Sequence, residues 1–269
     1  MIQWNLIRLK QVDSTNTYCK ENCTALPHGS AVFTDCQTAG RGRRGNSWDG
    51  GEHIPGQNLA LSFLLKDAKI EDMGILPLLC ALAVRRAVRD IAGGDARIKW
   101  PNDMILCGKK LCGILCESRI TAGQESGLSA VCGIGINLTQ QQADFDALGL
   151  PHATSLQLCT DRTFTLEEVT VAILEQFAQV YEQYRSEGFP AMLPEYREGC
   201  ITLGRQVRVI RGKRRKKAPH WTSPRRESFS AASMGRGRSS ARVRLRCAGF
   251  TVMFNRSTRT NPSTKELIV

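Results

Sequence analysis

The feature that most limits what this chain can fold into is an abrupt change of residue usage near Gly212. From Arg211 onward there are sixteen Lys/Arg, two Glu and no Asp. The whole 269-residue chain carries +12, so residues 1–210 together carry −2. The tail opens with Lys213-Arg214-Arg215-Lys216-Lys217, and its apolar residues keep no sustained period. Such a segment cannot bury enough surface to offset its ordering entropy, so residues 213–269 are expected to be a disordered basic tail. The sharpness of the break is read as a change of reading frame. The full length of 269 residues is enough for one large or two modest domains with a real core.

Those residues contain no run of about 18 apolar residues, so no membrane span is expected. The N-terminus lacks a basic segment followed by an apolar stretch, the mark of a secretion signal. Eleven cysteines in that setting read as reduced thiols, which places the chain in the cytoplasm. Cys107, Cys112 and Cys116 lack the spacing of a zinc knuckle, and Cys19 and Cys23 have no second pair. All are expected to be buried apolar thiols, with no structural metal.

Apolar periodicity divides the body into strands and helices. Strands are expected over 3–12, 30–36, 58–65, 96–100, 104–107, 110–118 and 129–137. Helices are expected over 17–22, from 73 to about 91 behind an Asp72 cap, from Thr165 to about 186, and over 190–198. Residues 153–159 read as a linker, and Leu203–Ile210 alternates like the first strand of a small barrel. Hairpins dominate this order, which indicates an α+β fold with a mixed sheet. Gly133 and Gly135 lie inside a strand, where glycine marks a bulge or a close backbone approach.

Four clusters carry the candidate chemistry. Gly40-Arg41-Gly42-Arg43-Arg44-Gly45 offers three guanidinium forks on a backbone that a ligand can approach closely. Mutual repulsion should keep this loop loose until an anion arrives. Lys99-Trp100-Pro101-Asn102-Asp103 places an amine, an indole, an amide and a carboxylate on one strand end and turn. Its Asn/Asp pair suits Mg²⁺ brought by phosphates, although a core tryptophan beside an Asx turn would look the same. Lys109-Lys110-Leu111-Cys112-Gly113-Ile114-Leu115-Cys116-Glu117 is a strand that could present one amine to a ligand. Asp13-Ser14-Thr15-Asn16 supplies N-cap chemistry, and its hydroxyls and amides could also hold polar ligand groups.

Taken in chain order from Asp13, these clusters, together with Gln37 and Gly133-Ile134-Gly135-Ile136-Asn137-Leu138, resemble the biotin protein ligases. The resemblance runs from about residue 5 to 210. It implies a class II synthetase-like biotin/lipoate ligase catalytic domain over 1–198, the start of an SH3-like barrel over 199–212, and the tail over 213–269. The barrel would be incomplete, because only its first strand is recognisable.

The implied reaction joins biotin to ATP as biotinyl-5′-AMP and then acylates a lysine of a biotin carboxyl carrier protein, as in acetyl-CoA carboxylase. Biotin and the ATP–Mg²⁺ complex are the implied substrates. The resemblance implies Arg41, Arg43 and Lys110 as catalytic cations. Ser14, Thr15, Asn16, Gln37, Gly40, Arg41, Gly42, Arg43, Lys110 and Gly113 are implied around biotin. Arg43, Arg44, Trp48, Lys99, Asn102, Asp103 and Asn137 are implied around the nucleotide, with Asp103 as the Mg²⁺ contact.

Cys112 stands where the family usually has alanine, and the 48–58 loop is longer than expected. No helix-turn-helix precedes Asp13, so a monofunctional enzyme without specific DNA binding is expected. No membrane association is implied, and a homodimer is left open. A lipoate or octanoate transferase shares the fold class, but the pairing of GRGRRG with KWPND favours biotin. A nucleic-acid-binding regulator would rest on the basic tail alone, through contacts that weaken steeply with salt.

Overall fold

A computed structural model describes residues 1–48, 56–120 and 128–204, except the Arg44 side chain, and beyond 204 only the backbone of five short strands. Seven strands form one mixed sheet: β1 (Asn5–Arg8), β2 (Ser30–Thr34), β3 (Asn58–Leu65), β4 (Arg97–Lys99), β5 (Asp103–Leu106), β6 (Lys109–Ile120) and β7 (Leu128–Asn137). Their spatial order is β1-β2-β3-β7-β6-β5-β4. Only β1 and β2 run parallel; every other neighbouring pair is antiparallel. The helices are α1 (Thr15–Glu21), α2 (Leu76–Ala92), α3 (Gln142–Ala147), α4 (Leu156–Thr160), α5 (Leu166–Glu187) and α6 (Phe189–Gly199).

The central strands face two different environments, which explains their near-continuous apolar sequence. Side chains at alternate positions point to opposite faces. On one face Leu59, Leu61, Phe63, Cys132, Ile134 and Ile136 join α2 and α5 in the main core. Phe63 meets Phe177 of α5 with ring centroids 4.5 Å apart, and Trp4 closes the group edge-on at 5.4 Å from Phe63. The other face carries α1, where Cys19 and Cys23 pack on Val32, Leu64 and Val131 in a smaller cluster.

Several expectations need correction. Helix α1 begins at Thr15, two residues early, and Ser14 takes the N-cap place without a side-chain capping bond. Thr15 and Asn16 are thus inside the helix and buried against the sheet. Asp72 accepts from the Lys69 N–H at 2.7 Å within a 3₁₀ turn (Ile70–Gly74), so α2 starts at Leu76 instead of Met73. The expected 153–159 linker is mostly taken up by α4, capped by Ser155, whose Oγ accepts from the Leu158 N–H at 3.2 Å. The glycines of β7 sit in an unbroken ladder; the register shift lies between Met104 and Ile105 of β5. Cys107 is exposed because it occupies the hairpin turn, at φ 50°.

Beyond residue 204, β8 (Val207–Arg211) overlaps only the second half of the expected strand Leu203–Ile210, since Leu203 and Gly204 lie in a turn. It pairs with β9 (Arg214–Ala218) and β12 (Leu267–Ile268), and β10 (Arg244–Cys247) pairs with β11 (Phe250–Met253). The remainder of the expected tail, and most of the 48–58 loop, lie outside the described residues.

Candidate active site

The α1 face of the sheet holds a strip without bulk. Ala60 pairs with Gly135, Gly135 with Gly113, and Gly113 with Asp103, so one row across β3, β7, β6 and β5 has almost no side chain until it ends in a carboxylate. The adjoining row runs Ser62, Gly133, Leu115. The bareness is required where other groups lie close. A Cβ on Gly135 would sit 2.2 Å from the Trp48 indole nitrogen, and one on Gly113 would sit 3.0 Å from the same ring. A Cβ on Gly133 would sit 2.2 Å from Asn16 Oδ1. The close approach expected of these strand glycines is therefore made by a tryptophan and an asparagine of the chain itself.

The arginine loop is a folded hairpin, contrary to the loose loop expected. The Gly42 N–H donates to Asn46 O at 2.7 Å, the Trp48 N–H donates to Gly40 O at 2.9 Å, and Arg41 bridges Ser47. Arg43–Gly45 forms a 3₁₀ turn at its tip. A Cβ on Gly40 would sit 1.9 Å from Trp48 O, so only glycine lets the two legs approach this closely. The repulsion that should loosen the loop is offset by partners on the sheet. Arg41 donates to Glu117 Oε2 at 2.9 Å, and Arg43 donates to Asn102 Oδ1 at 2.9 Å.

Lys110 completes the set. Its amine lies 3.0 Å from Asp103 Oδ1 and 5.4 Å from the centre of the Trp48 ring, within cation–π range. Asn102 also donates to Asp103 Oδ1, at 3.3 Å. Lys99 pairs with Asp103 across β4 and β5. Burial pushes its amine below the usual lysine range; Asp103 opposes that shift and the Lys110 charge adds to it. Arg43, Lys110, Lys99 and Trp48 are thus gathered where the bare row ends at Asp103.

Beside the bare row, a polar network fixes α1 to the sheet. The Thr15 N–H and hydroxyl both reach Gln37 Oε1, at 2.9 and 3.2 Å. The Ser62 hydroxyl lies 2.7 Å from Thr15 Oγ1 and 2.6 Å from Asn16 Oδ1. Asn16 Nδ2 donates to Leu115 O at 3.1 Å and to Glu117 Oε2 at 2.9 Å, and Lys20 donates to Glu117 Oε1 at 2.8 Å. Burial pushes the Glu117 carboxyl up, but the bonds from Lys20 and Asn16 and the Arg41 charge outweigh it and hold it below the usual glutamate range. Asn137 stands at the end of β7, where its amide donates to Thr154 O at 2.8 Å, and Thr154 N–H donates to Lys110 O. Asn137 is thus linked to the Lys110 backbone through Thr154. Ser14 is buried at the head of α1, and the Arg44 side chain lies outside the described residues.

The same architecture occurs in solved structures. The chain aligns with the biotin protein ligase of Aquifex aeolicus in complex with biotin and ATP at 30% identity and a TM-score of 0.67, covering 80% of this chain and 85% of that one. The chain belongs to the biotin protein ligase family. The model of the biotin/lipoate A/B protein ligase family matches residues 9–137, which include the arginine loop, the bare row and Lys110. The bifunctional ligase/repressor BirA of Bacillus subtilis is 34% identical over 184 residues, 68% of this chain and 55% of that protein. The biotin–[acetyl-CoA-carboxylase] ligase of Mycobacterium tuberculosis is 29% identical over 67% of this chain and 64% of its own length. This member thus spans little more than half the length of the curated relatives it matches.

Ser62, Lys20 and Glu117 had not been expected at this family's site. Ser62 could have been found from the sequence, as the one hydroxyl inside the apolar run Asn58–Leu65, at an alternate position facing away from Phe63. Glu117 and Lys20 lack such a local mark, because their pairing joins elements 97 residues apart.

Proposed function

We propose that the chain activates biotin with ATP as biotinyl-5′-AMP and transfers it to a lysine of a biotin carboxyl carrier protein. The observation that carries this reading is the convergence of Arg43, Lys110 and Trp48 on the glycine row that ends at Asp103. A flat ring system needs a surface without Cβ atoms, and an anionic reaction needs cations at one end of it.

In the first step the biotin carboxylate attacks the α-phosphorus and pyrophosphate leaves. Two unit charges at about 4 Å repel by roughly 4 kcal/mol at an effective dielectric of 20, so the cations must neutralise both reactants. Arg41, Arg43 and Lys110 each rest on an internal acceptor, Glu117, Asn102 and Asp103 respectively. Substrate oxygens can take over those acceptors' place, after which Glu117 keeps Lys20 and Asn16 and Asp103 keeps the Asn102 amide. The guanidinium and ammonium groups then stabilise charge developing on the phosphoryl oxygens. In the second step the carrier lysine attacks the acyl carbon and AMP leaves. Trp48 and the hairpin cover the anhydride and keep water from it.

Asp103 is the expected Mg²⁺ contact, and Lys110 occupies one of its oxygens. This corner offers too few free oxygens for a protein-held Mg²⁺ cage, so the ion is assigned to the nucleotide phosphates as part of the substrate.

Radiolabelled biotin transfer to a carrier domain tests the proposal, with ATP required and AMP and pyrophosphate released. Biotin with ATP should raise the melting temperature, and lipoate with ATP should not. The reverse pattern would assign the chain to lipoate or octanoate transfer.

A further inference from the structure

The fold brings together three thiols that are far apart in sequence. Cys116 and Cys132 are paired directly across β6 and β7, and Cys80 of α2 lies against them on the core face. Their sulfurs all lie within 4.8 Å of one another. Cys80 and Cys132 are fully buried, and Cys116 packs against the same core with part of the residue exposed. Among the described residues no fourth Cys, His, Asp or Glu atom joins the group.

This donor set selects its ligand by softness and charge. Three thiolate sulfurs suit a thiophilic centre and disfavour a hard cation. Zinc in a closed site takes four ligands, so three sulfurs leave it one short. A divalent ion on three thiolates also leaves a net negative charge in an apolar core, which is costly without a partner. A trivalent thiophile on three thiolates leaves none. We propose that Cys80, Cys116 and Cys132 form a three-sulfur site for trivalent arsenic, taken up as arsenous acid.

The exchange balances without a redox step. Three S–H bonds and three As–O bonds break, three As–S bonds form, and three waters leave. The site is separate from the proposed adenylation site, because its sulfurs point to the opposite face of β6 and β7 from Gly113, Gly133 and Gly135.

The test uses the reduced full chain, a phosphine reductant and arsenite, read by mass spectrometry and arsenic X-ray absorption. The expected adduct is one arsenic less three hydrogens, with arsenic bound by sulfur alone. Cys132→Ala should abolish the three-sulfur adduct, and Cys107→Ala should retain it. The unsubstituted protein gives an independent check if Cys132→Ala fails to fold. After arsenite loading and denaturation, Cys80, Cys116 and Cys132 should resist alkylation and the other cysteines should react. No adduct, an adduct that keeps an arsenic–oxygen bond, one that persists in a folded Cys132→Ala, or protection of other cysteines would overturn the proposal.

Discussion

Glu117 accepts from Lys20, Asn16 and Arg41, which tie α1 and the arginine loop to β6. Replacing it with glutamine keeps the shape and removes the charge. Because Glu117 is partly exposed, Glu117→Gln should cost only about 1–2 kcal/mol of stability, measured by urea unfolding at neutral pH. Its carboxyl is held below the usual range, so its contribution is complete above that range and is lost as pH falls through the lowered value. The gap between the native chain and Glu117→Gln should therefore close toward acid pH; a constant gap would show that its charge does not matter. Gly135→Ala probes the bare row itself. The added methyl cannot coexist with the indole 2.2 Å away, so Trp48 must leave the sheet. Its fluorescence should shift to the red and nucleotide affinity should fall, with the fold retained.

The elements were legible wherever packing on both faces follows from local pattern. Strand β3 appears at its expected bounds, and α5 is capped by Thr165, whose Oγ1 accepts from the Glu168 N–H at 3.1 Å. The short helices α3 and α4 were missed because five or six residues are too few to show a period. Helix α1 was placed late because Ser14, Thr15 and Asn16 read as caps, while the fold uses Thr15 and Asn16 to contact the sheet. The site's composition could be read from the glycine and arginine motifs. Its internal pairings could not, since Arg41–Glu117 and Arg43–Asn102 depend on which strands become neighbours. The Thr15–Ser62–Asn16 network gives an element-scale test. Ser62→Ala leaves Asn16 Oδ1 and Thr15 Oγ1 short of a partner in a buried setting. It should lower stability by about 1–3 kcal/mol and weaken biotin binding, checked by thermal unfolding with and without biotin.

At the scale of the molecule, charge and proposed chemistry are carried by different parts of the chain. The +14 of residues 211–269 is remote in sequence from the cations at the site. Deleting those residues should remove any salt-sensitive nucleic-acid binding and leave biotin binding intact. Unchanged DNA binding after the deletion would place that property in the body instead. We attribute the compositional break near Gly212 to a shifted reading frame, which resequencing the gene tests directly. The central claim is that Arg43, Lys110 and Trp48 assemble an adenylation site on the glycine row. Biotin-dependent pyrophosphate release by Arg43→Ala tests it most directly: the account predicts a rate lowered by at least about tenfold, some 1.4 kcal/mol of transition-state stabilisation, in a protein that unfolds at the native temperature. Pyrophosphate release at the native rate from that variant would contradict it.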